Sequence, residues 1–252
     1  MHNTDHHILN MAGETHIGLH RVINEDNFCY TNRHGETNKM AMIADGIGGH
    51  PDGALASRLC CQFMLKVWHK CGIGNETDPE LIRQTLLDGT EQCNRFIYQM
   101  NRNKNPQKPM GTTMVMAIFT PEHIITGYAG DSRFYIVSDS AIEYLTVDHS
   151  LVVELAKQKK ITASEIIGHP YSHIILRSIG TTPKAEIETS IQHRHPGQRF
   201  LLCSDGLNRY LSDSQIIEII KNSPTPKSAV NSFVRSTLQS GADDNVAVIC
   251  IF

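Results

Sequence analysis

Four short runs in the middle of the chain decide the fold: TTMVMAIFT at residues 112–120, HIITGY at 123–128, RFYIVS at 133–138 and AIEYLT at 141–146. Each is rich in β-branched and aromatic residues, and each is cut from the next by Pro, Gly, Asp or Ser. They read as short strands joined by turns, an antiparallel meander. Toward the N-terminus the period changes. Leu55, Leu59, Phe63, Val67 and Cys71 recur every four residues, an amphipathic helix with Gly72 as its stop. Asp78-Pro79 is an N-cap followed by a first-turn proline, opening a second helix with Leu81, Ile82, Leu86, Cys93, Phe96, Ile97 and Met100 facing inward.

Further out, residues 39–44 form an apolar strand that stops at Asp45-Gly46. Residues 17–30 read as two strands flanking a polar turn over 21–27. On the C-terminal side, residues 151–159 are helical, and Thr162-x-x-Glu165 is a capping box for another short helix. Strands follow near 185–192 and 198–203. Ser212-x-x-Gln215 caps a helix to Ile220, Thr225-Pro226 starts one ending at Gly241, and residues 246–252 are a last strand. Strands in blocks and helices in blocks argue for an α+β fold, two antiparallel sheets face to face with helices outside, rather than a doubly wound sheet. No repeat or long linker divides the chain, so residues 13–252 read as one domain behind a loose polar tail, residues 1–12. His2, His6 and His7 in that tail read as solvated side chains in preference to a metal site.

Composition excludes several classes. The formal charge of −3 and the lack of a Lys/Arg block argue against a nucleic-acid surface. No apolar stretch approaches a membrane span, and the N-terminus has no apolar signal region. Seven cysteines with no C-x-x-C pair make poor zinc or disulfide frameworks. The expectation is a cytoplasmic protein with reduced thiols.

The chemistry lies in acidic turns. MAMIADG (40–46) and FLLCSDG (200–206) both run apolar and break at Asp-Gly. A strand end is a rigid mount, and Gly lets the backbone turn beside whatever the carboxylate holds. Three more acidic turns are Asn24-Glu25-Asp26-Asn27, Gly130-Asp131-Ser132-Arg133 and Asp243-Asp244-Asn245. Carboxylates with Asn and Gly, without paired His or Cys, suit hard cations such as Mg²⁺ and Mn²⁺. The ligands are scattered along the chain, unlike the single local loop of an EF-hand, which argues against a Ca²⁺-stabilised non-enzymatic module.

In motif order the chain resembles the metal-dependent type 2C serine/threonine protein phosphatases, in their compact bacterial form. The matching pieces are Arg21-x-x-Asn24-Glu25-Asp26-Asn27, Ala44-Asp45-Gly46-Ile47-Gly48-Gly49-His50, Gly111-Thr112-Thr113, Gly130-Asp131-Ser132-Arg133, Asp148-His149-Ser150, Arg177-Ser178-Ile179-Gly180, Ser204-Asp205-Gly206 and Asp244-Asn245. The resemblance spans residues 13–252. It implies an αββα sandwich and hydrolysis of phosphoserine and phosphothreonine in proteins, a signalling activity, by a water bridging two Mg²⁺ or Mn²⁺ ions. By that resemblance Asp45 bridges the two metals, and Asp205 and Asp244 complete the first. The Gly46 carbonyl and Glu25 serve the second, and Asp26 holds their waters. Asp131 with Asp205 forms a third, weaker site, and Arg21 grips the substrate phosphate, a role its planar charged fork suits. Expected partners are phosphoproteins and a cognate serine/threonine kinase. Retention of Asp45, Asp205 and Asp244 speaks against a catalytically dead regulatory relative.

One departure concerns the proton donor. Animal members carry His directly after the first Asp-Gly, where this chain has Ile47. A serine leaving group needs a proton, from His50, His149 or a metal-bound water; the inert Ile47 favours the water. Residues 150–176, with Lys157, Lys159, Lys160, His169 and His173, would be a flap beside the site, either reading phosphopeptides or merely solvated.

Overall fold

The computed structural model describes residues 9–32, 34–47, 51–104, 107–166 and 168–252. Eleven strands among these residues are β1 (Met11–His16), β2 (Asp26–Tyr30), β3 (Lys39–Ile47), β4 (Gly111–Thr112), β5 (Met114–Phe119), β6 (His123–Ala129), β7 (Arg133–Val137), β8 (Ile142–Tyr144), β9 (Glu188–His193), β10 (Arg199–Cys203) and β11 (Val246–Ile251). The helices are α1 (Pro51–Lys70), α2 (Pro79–Lys104), α3 (Leu151–Lys157), α4 (Asp205–Asn208), α5 (Asp213–Lys221) and α6 (Pro226–Gln239). One sheet runs β1-β11-β10-β7-β8, the other β2-β3-β5-β6-β9 with β4 paired to β3, and every pairing is antiparallel.

The period of two in each central strand builds three layers of core. Ala41, Ile43, Val115, Ala117, Phe119, Ala247, Ile249 and Ile251 point between the sheets. There Phe119 meets Phe200 at 4.9 Å and Phe134 edge-on at 6.1 Å, geometries aromatic rings favour. Met40, Met42, Ala44, Met114 and Met116 take the other face, against α1 and α2. Val246, Val248 and Cys250 pack outward against α5 and α6. Because both faces of these strands are covered, they read as continuous apolar runs rather than alternating ones. This is the αββα sandwich.

The structure corrects several details. The four central runs are two hairpins, not one meander: β5-β6 lies in one sheet and β7-β8 in the other. The chain crosses between sheets at Gly130, whose φ of 113° and contact with Thr113 (2.6 Å from a Cβ built there) leave no room for a side chain. The strand expected from residue 17 lies earlier, at β1, so residues 11 and 12 are sheet rather than tail and Leu9 is buried. Residues 1–8, with His2, His6 and His7, are outside the described residues. The expected strand residue Leu19 faces water, 56% exposed, as does Val22 in the turn that follows. In α1 the buried face is Ala56, Cys60, Cys61, Met64 and Trp68; strict four-residue spacing drifts around a 3.6-residue helix, so Leu55, Leu59, Phe63 and Val67 flank that face. On α2, Ile82, Leu86, Cys93 and Ile97 point inward, but Leu81 and Phe96 are exposed. Thr162 caps only a 3₁₀ turn over Ala163–Glu165, and α4 falls where the sequence had suggested a turn.

Candidate active site

The acidic turns meet at one end of the sandwich, because antiparallel strands bring distant chain segments side by side. Asp26 on β2 sits directly across from Asp45 on β3. Asp205 opens α4 just past β10, and Asp244 precedes β11, the neighbour of β10.

Each mount is fixed by hydrogen bonds. Asp45 is clamped through its backbone: its N–H donates to Thr113 Oγ1 at 3.0 Å. Its carbonyl accepts from Thr113 N at 2.8 Å and from Thr112 Oγ1 at 2.9 Å. Thr113 Oγ1 also lies 2.8 Å from Ser132 Oγ, tying Asp45 to the turn that carries Asp131. Glu25 is held by its carbonyl, which accepts from Ser57 Oγ at 2.5 Å and from Gly46 N at 3.1 Å. Gly46 and Gly53 must be glycine here. A Cβ on Gly46 would stand 2.4 Å from the Gly53 carbonyl, and one on Gly53 would stand 2.2 Å from Glu25 Oε1. A Cβ on Gly206 would stand 1.8 Å from the Asn245 carbonyl.

Four residues without an assigned role in the sequence reading prove central. Asn245 accepts from Glu25 N at 2.9 Å and donates to the carbonyls of Ile17 (2.9 Å) and Ile23 (3.1 Å), fastening the loop over residues 17–25 to the start of β11. Ser204 does not cap α4; its hydroxyl donates to Asp26 Oδ2 at 2.7 Å and accepts from Ala247 N at 2.9 Å. Thr113 is the clamp described above. Arg209, one turn along α4, pairs with Asp205 and reaches Asp244 Oδ2 at 3.7 Å. Thr113, Ser204 and Asn245 stand inside the matching motifs without a role attached to them, and Arg209, outside those motifs, had only its i,i+4 spacing from Asp205 as a signal. Arg21, the expected phosphate grip, donates to Asp244 Oδ2 at 2.9 Å and is 43% exposed.

Gathering these carboxyls is electrostatically costly. Burial, then the charge of Asp205 and Asp244, raises Asp26 to about 7 although its bond from Ser204 favours the charged form. Burial, and then Asp26, Asp205, Asp131 and Asp244, hold Asp45 well above the usual carboxylate range. Asp131 rises for the same reasons, burial first and then Asp205. Asp205 is raised by burial against the pull of Arg209. Asp131 Oδ1 is buried with no hydrogen-bond partner among the described residues. As the side chains stand, no three Asp, Glu, His or Cys groups among the described residues are drawn together tightly enough to hold an ion. Arg209 and Arg21 supply the countercharge to Asp205 and Asp244 instead. The donor set is nonetheless all oxygen, and a buried carboxylate cluster that two arginines compensate only at Asp205 and Asp244, with an orphaned oxygen on Asp131, fits a hard cation.

The two candidate proton donors fare differently. His50 lies outside the described residues. His149 is buried and both ring nitrogens are engaged: Nδ1 accepts from Gly130 N at 3.2 Å, and Nε2 lies 3.2 Å from Glu188 Oε1. Its ring stacks on Tyr128 at 4.9 Å, and Arg177 and Tyr128 both donate to Glu188 at 2.6 Å. The His149 backbone joins this knot to residues 150–176, with Leu176 N donating to its carbonyl at 2.7 Å. Arg133 grips Asp148 with two bonds of 2.8 and 2.7 Å. Histidine 149 is thus a joint between the Asp131 turn and the segment expected to be the flap.

Known proteins share this architecture. The protein phosphatase 2C family model matches residues 12–247. The protein phosphatase PhpP of Streptococcus pneumoniae is 30% identical over 238 residues, 94% of each chain. The serine/threonine phosphatase Stp1 of Staphylococcus aureus superposes with a TM-score of 0.88 at 26% identity, over 97% of this chain and 94% of that one. The catalytic domain of the serine/threonine phosphatase PstP, solved with two manganese ions, superposes with a TM-score of 0.81 at 27% identity, over 96% of this chain and 97% of that one. With a family match over nearly the whole chain, the same architecture in solved phosphatases and near-complete overlap with its relatives, the chain belongs to the protein phosphatase 2C family and is a serine/threonine protein phosphatase.

Proposed function

We propose that the chain removes phosphate from phosphoserine and phosphothreonine in proteins through two Mg²⁺ or Mn²⁺ ions held by its acidic end. The observation that carries this reading is the crowding of Asp26, Asp45, Asp131 and Asp205 at one buried end of the sandwich, where burial first and then neighbouring carboxylates hold each above its ordinary range, a cost that cations would relieve. Asp45 would contact both ions, Asp205 and Asp244 the first, and Glu25 with the Gly46 carbonyl the second. Asp26 would orient water, and Asp131 with Asp205 would offer a third, weaker site. When bound, such a pair supplies a shared water of lowered pKa for in-line attack and neutralises the phosphate.

The protein's own groups do the rest. Arg21 presents a partly exposed guanidinium at the rim and binds the phosphate oxygens, releasing Asp244 as it does so. Asn245 and Ser57 keep Glu25 and the Arg21 loop in register. Burial strengthens the contacts of Asn245 and Ser57. With Ile47 inert and both His149 nitrogens engaged, the leaving alkoxide takes its proton from water. The substrates would be phosphoproteins in the cytoplasm, including those of a cognate serine/threonine kinase.

The test is a phosphopeptide panel assayed with Mg²⁺, with Mn²⁺ and in EDTA. Activity should vanish in EDTA and return with either ion. Full turnover by a chelated, metal-free sample would sink the two-metal reading.

A further inference from the structure

A cavity of about 670 Å³ lies at the end of the sandwich opposite the carboxylates. Its floor is the start of β10 and the end of β11, whereas Asp205 follows the other end of β10. Six residues of extended chain separate Arg199 from Asp205, roughly 20 Å. Its volume falls within the 300–1,000 Å³ typical of small-molecule sites.

The lining has a distinct chemistry. It carries Arg194, Arg199 and Lys227 and no Asp or Glu, in a chain whose overall charge is −3. The three cations come from three different elements: the turn after β9, the first residue of β10 and the first turn of α6. Arg199 donates to the Ile220 carbonyl at 2.9 Å and lies 5.1 Å from the Phe252 ring centroid, so its partners are a neutral oxygen and an aromatic face. Lys227 reaches out to Glu14 at 3.0 Å, an exposed pair that is worth little and easily exchanged. Leu9, Pro224 and Phe252 supply apolar wall.

We propose that this cavity binds a small organophosphate, its phosphate against Arg199 and Lys227 and its apolar or aromatic body against Phe252 and Pro224. A tetrahedral dianion suits cations that line one cavity from different elements better than a planar, singly charged carboxylate does, and guanidinium is the stronger partner for its paired oxygens. The apolar wall requires a body that free phosphate lacks.

The probes are AMP, adenosine and inorganic phosphate, titrated calorimetrically into the whole chain in EDTA so that metal-held phosphate makes no contribution. AMP should bind at one saturable site, and tighter than either fragment. Lys227→Glu reverses one exposed charge and should weaken AMP at least tenfold while leaving phosphatase turnover at the wild-type rate. Arg199→Gln keeps a donor for Ile220 and should weaken it similarly, with an unchanged melting temperature as the check on folding. Arg21→Ala, at the other end, should bind AMP normally. AMP binding no tighter than adenosine, affinity unchanged in Lys227→Glu, or loss of binding in Arg21→Ala would each overturn the assignment. Because turnover is measured separately, a failed phosphatase reading and a failed pocket reading are distinct results.

Discussion

Asn245→Ala is the most informative single perturbation of the site. The side chain of Asn245 touches no expected metal position, yet it makes three hydrogen bonds that hold the loop over residues 17–25 against β11. Truncation leaves the buried Glu25 N–H and the Ile17 and Ile23 carbonyls without partners. A hydrogen bond contributes about 1 kcal/mol net, and a buried group left unsatisfied costs about 1–3 kcal/mol. The two carbonyls can reach water once the loop lifts, so a total of about 3 kcal/mol is expected. For a chain of this size that lowers the melting temperature by roughly 6–12 °C. The same loop carries Arg21 and Glu25, so kcat/KM for a phosphopeptide should fall further than stability alone explains, when measured well below the melting point. Asn245→Asp separates the parts: its carboxylate still accepts from Glu25 N but cannot donate to Ile17 or Ile23, so it should retain more activity than Ala while still losing stability. Wild-type melting and wild-type kcat/KM in Asn245→Ala would refute the claim that this residue organises the site.

Arg21→Ala should raise KM for phosphopeptides, with a loss of about 1.5–3 kcal/mol in transition-state binding and little change in Mn²⁺ affinity measured by titration; an unchanged KM would leave Arg21 as a surface residue. Asp205→Asn should blunt the rise in melting temperature that Mn²⁺ gives the wild type by binding only the folded state; an equal rise in both proteins would count against Asp205 as a ligand. Burial and then Arg177 hold His149 below its ordinary value of 6.5, so the fold keeps it neutral while the unfolded chain takes up a proton as pH drops. Its contribution is therefore complete well above the ordinary value of 6.5 and is lost as pH falls through that value, and His149→Gln should melt with a shallower loss over the same fall in pH. Since both ring nitrogens are engaged, that variant should lower turnover of phosphoserine and nitrophenyl phosphate together; a loss confined to phosphoserine would make His149 the general acid after all.

Much of this protein is legible in its sequence. Periodicity and turn residues locate α1, α2, α5, α6, the four central strands and β11, though not their pairing as two separate hairpins, because a strand or helix that buries apolar side chains must write its period into the chain. The Asp-Gly breaks at residues 45 and 205 stand out for a local reason too, since a carboxylate at a strand end beside a backbone that must turn tightly requires both residue types together. What the sequence could not carry is proximity. That Asp26 faces Asp45, that Ser204 serves Asp26 rather than its own helix, and that Asn245 holds a loop more than two hundred residues away are products of strand register, which is set by the packing of both sheets at once. The strand misplaced after residue 17 fails for the complementary reason. Ile17 and Leu19 alternate with Gly18 and His20 as a strand should, but Gly18, in the left-handed region beside the Asp244 carbonyl, and the reach of Asn245 bind that segment as a loop. Local pattern determines which residues can be strand or helix; only the tertiary structure decides which of them are held apart, which carboxyls are forced together, and so where the chemistry can occur.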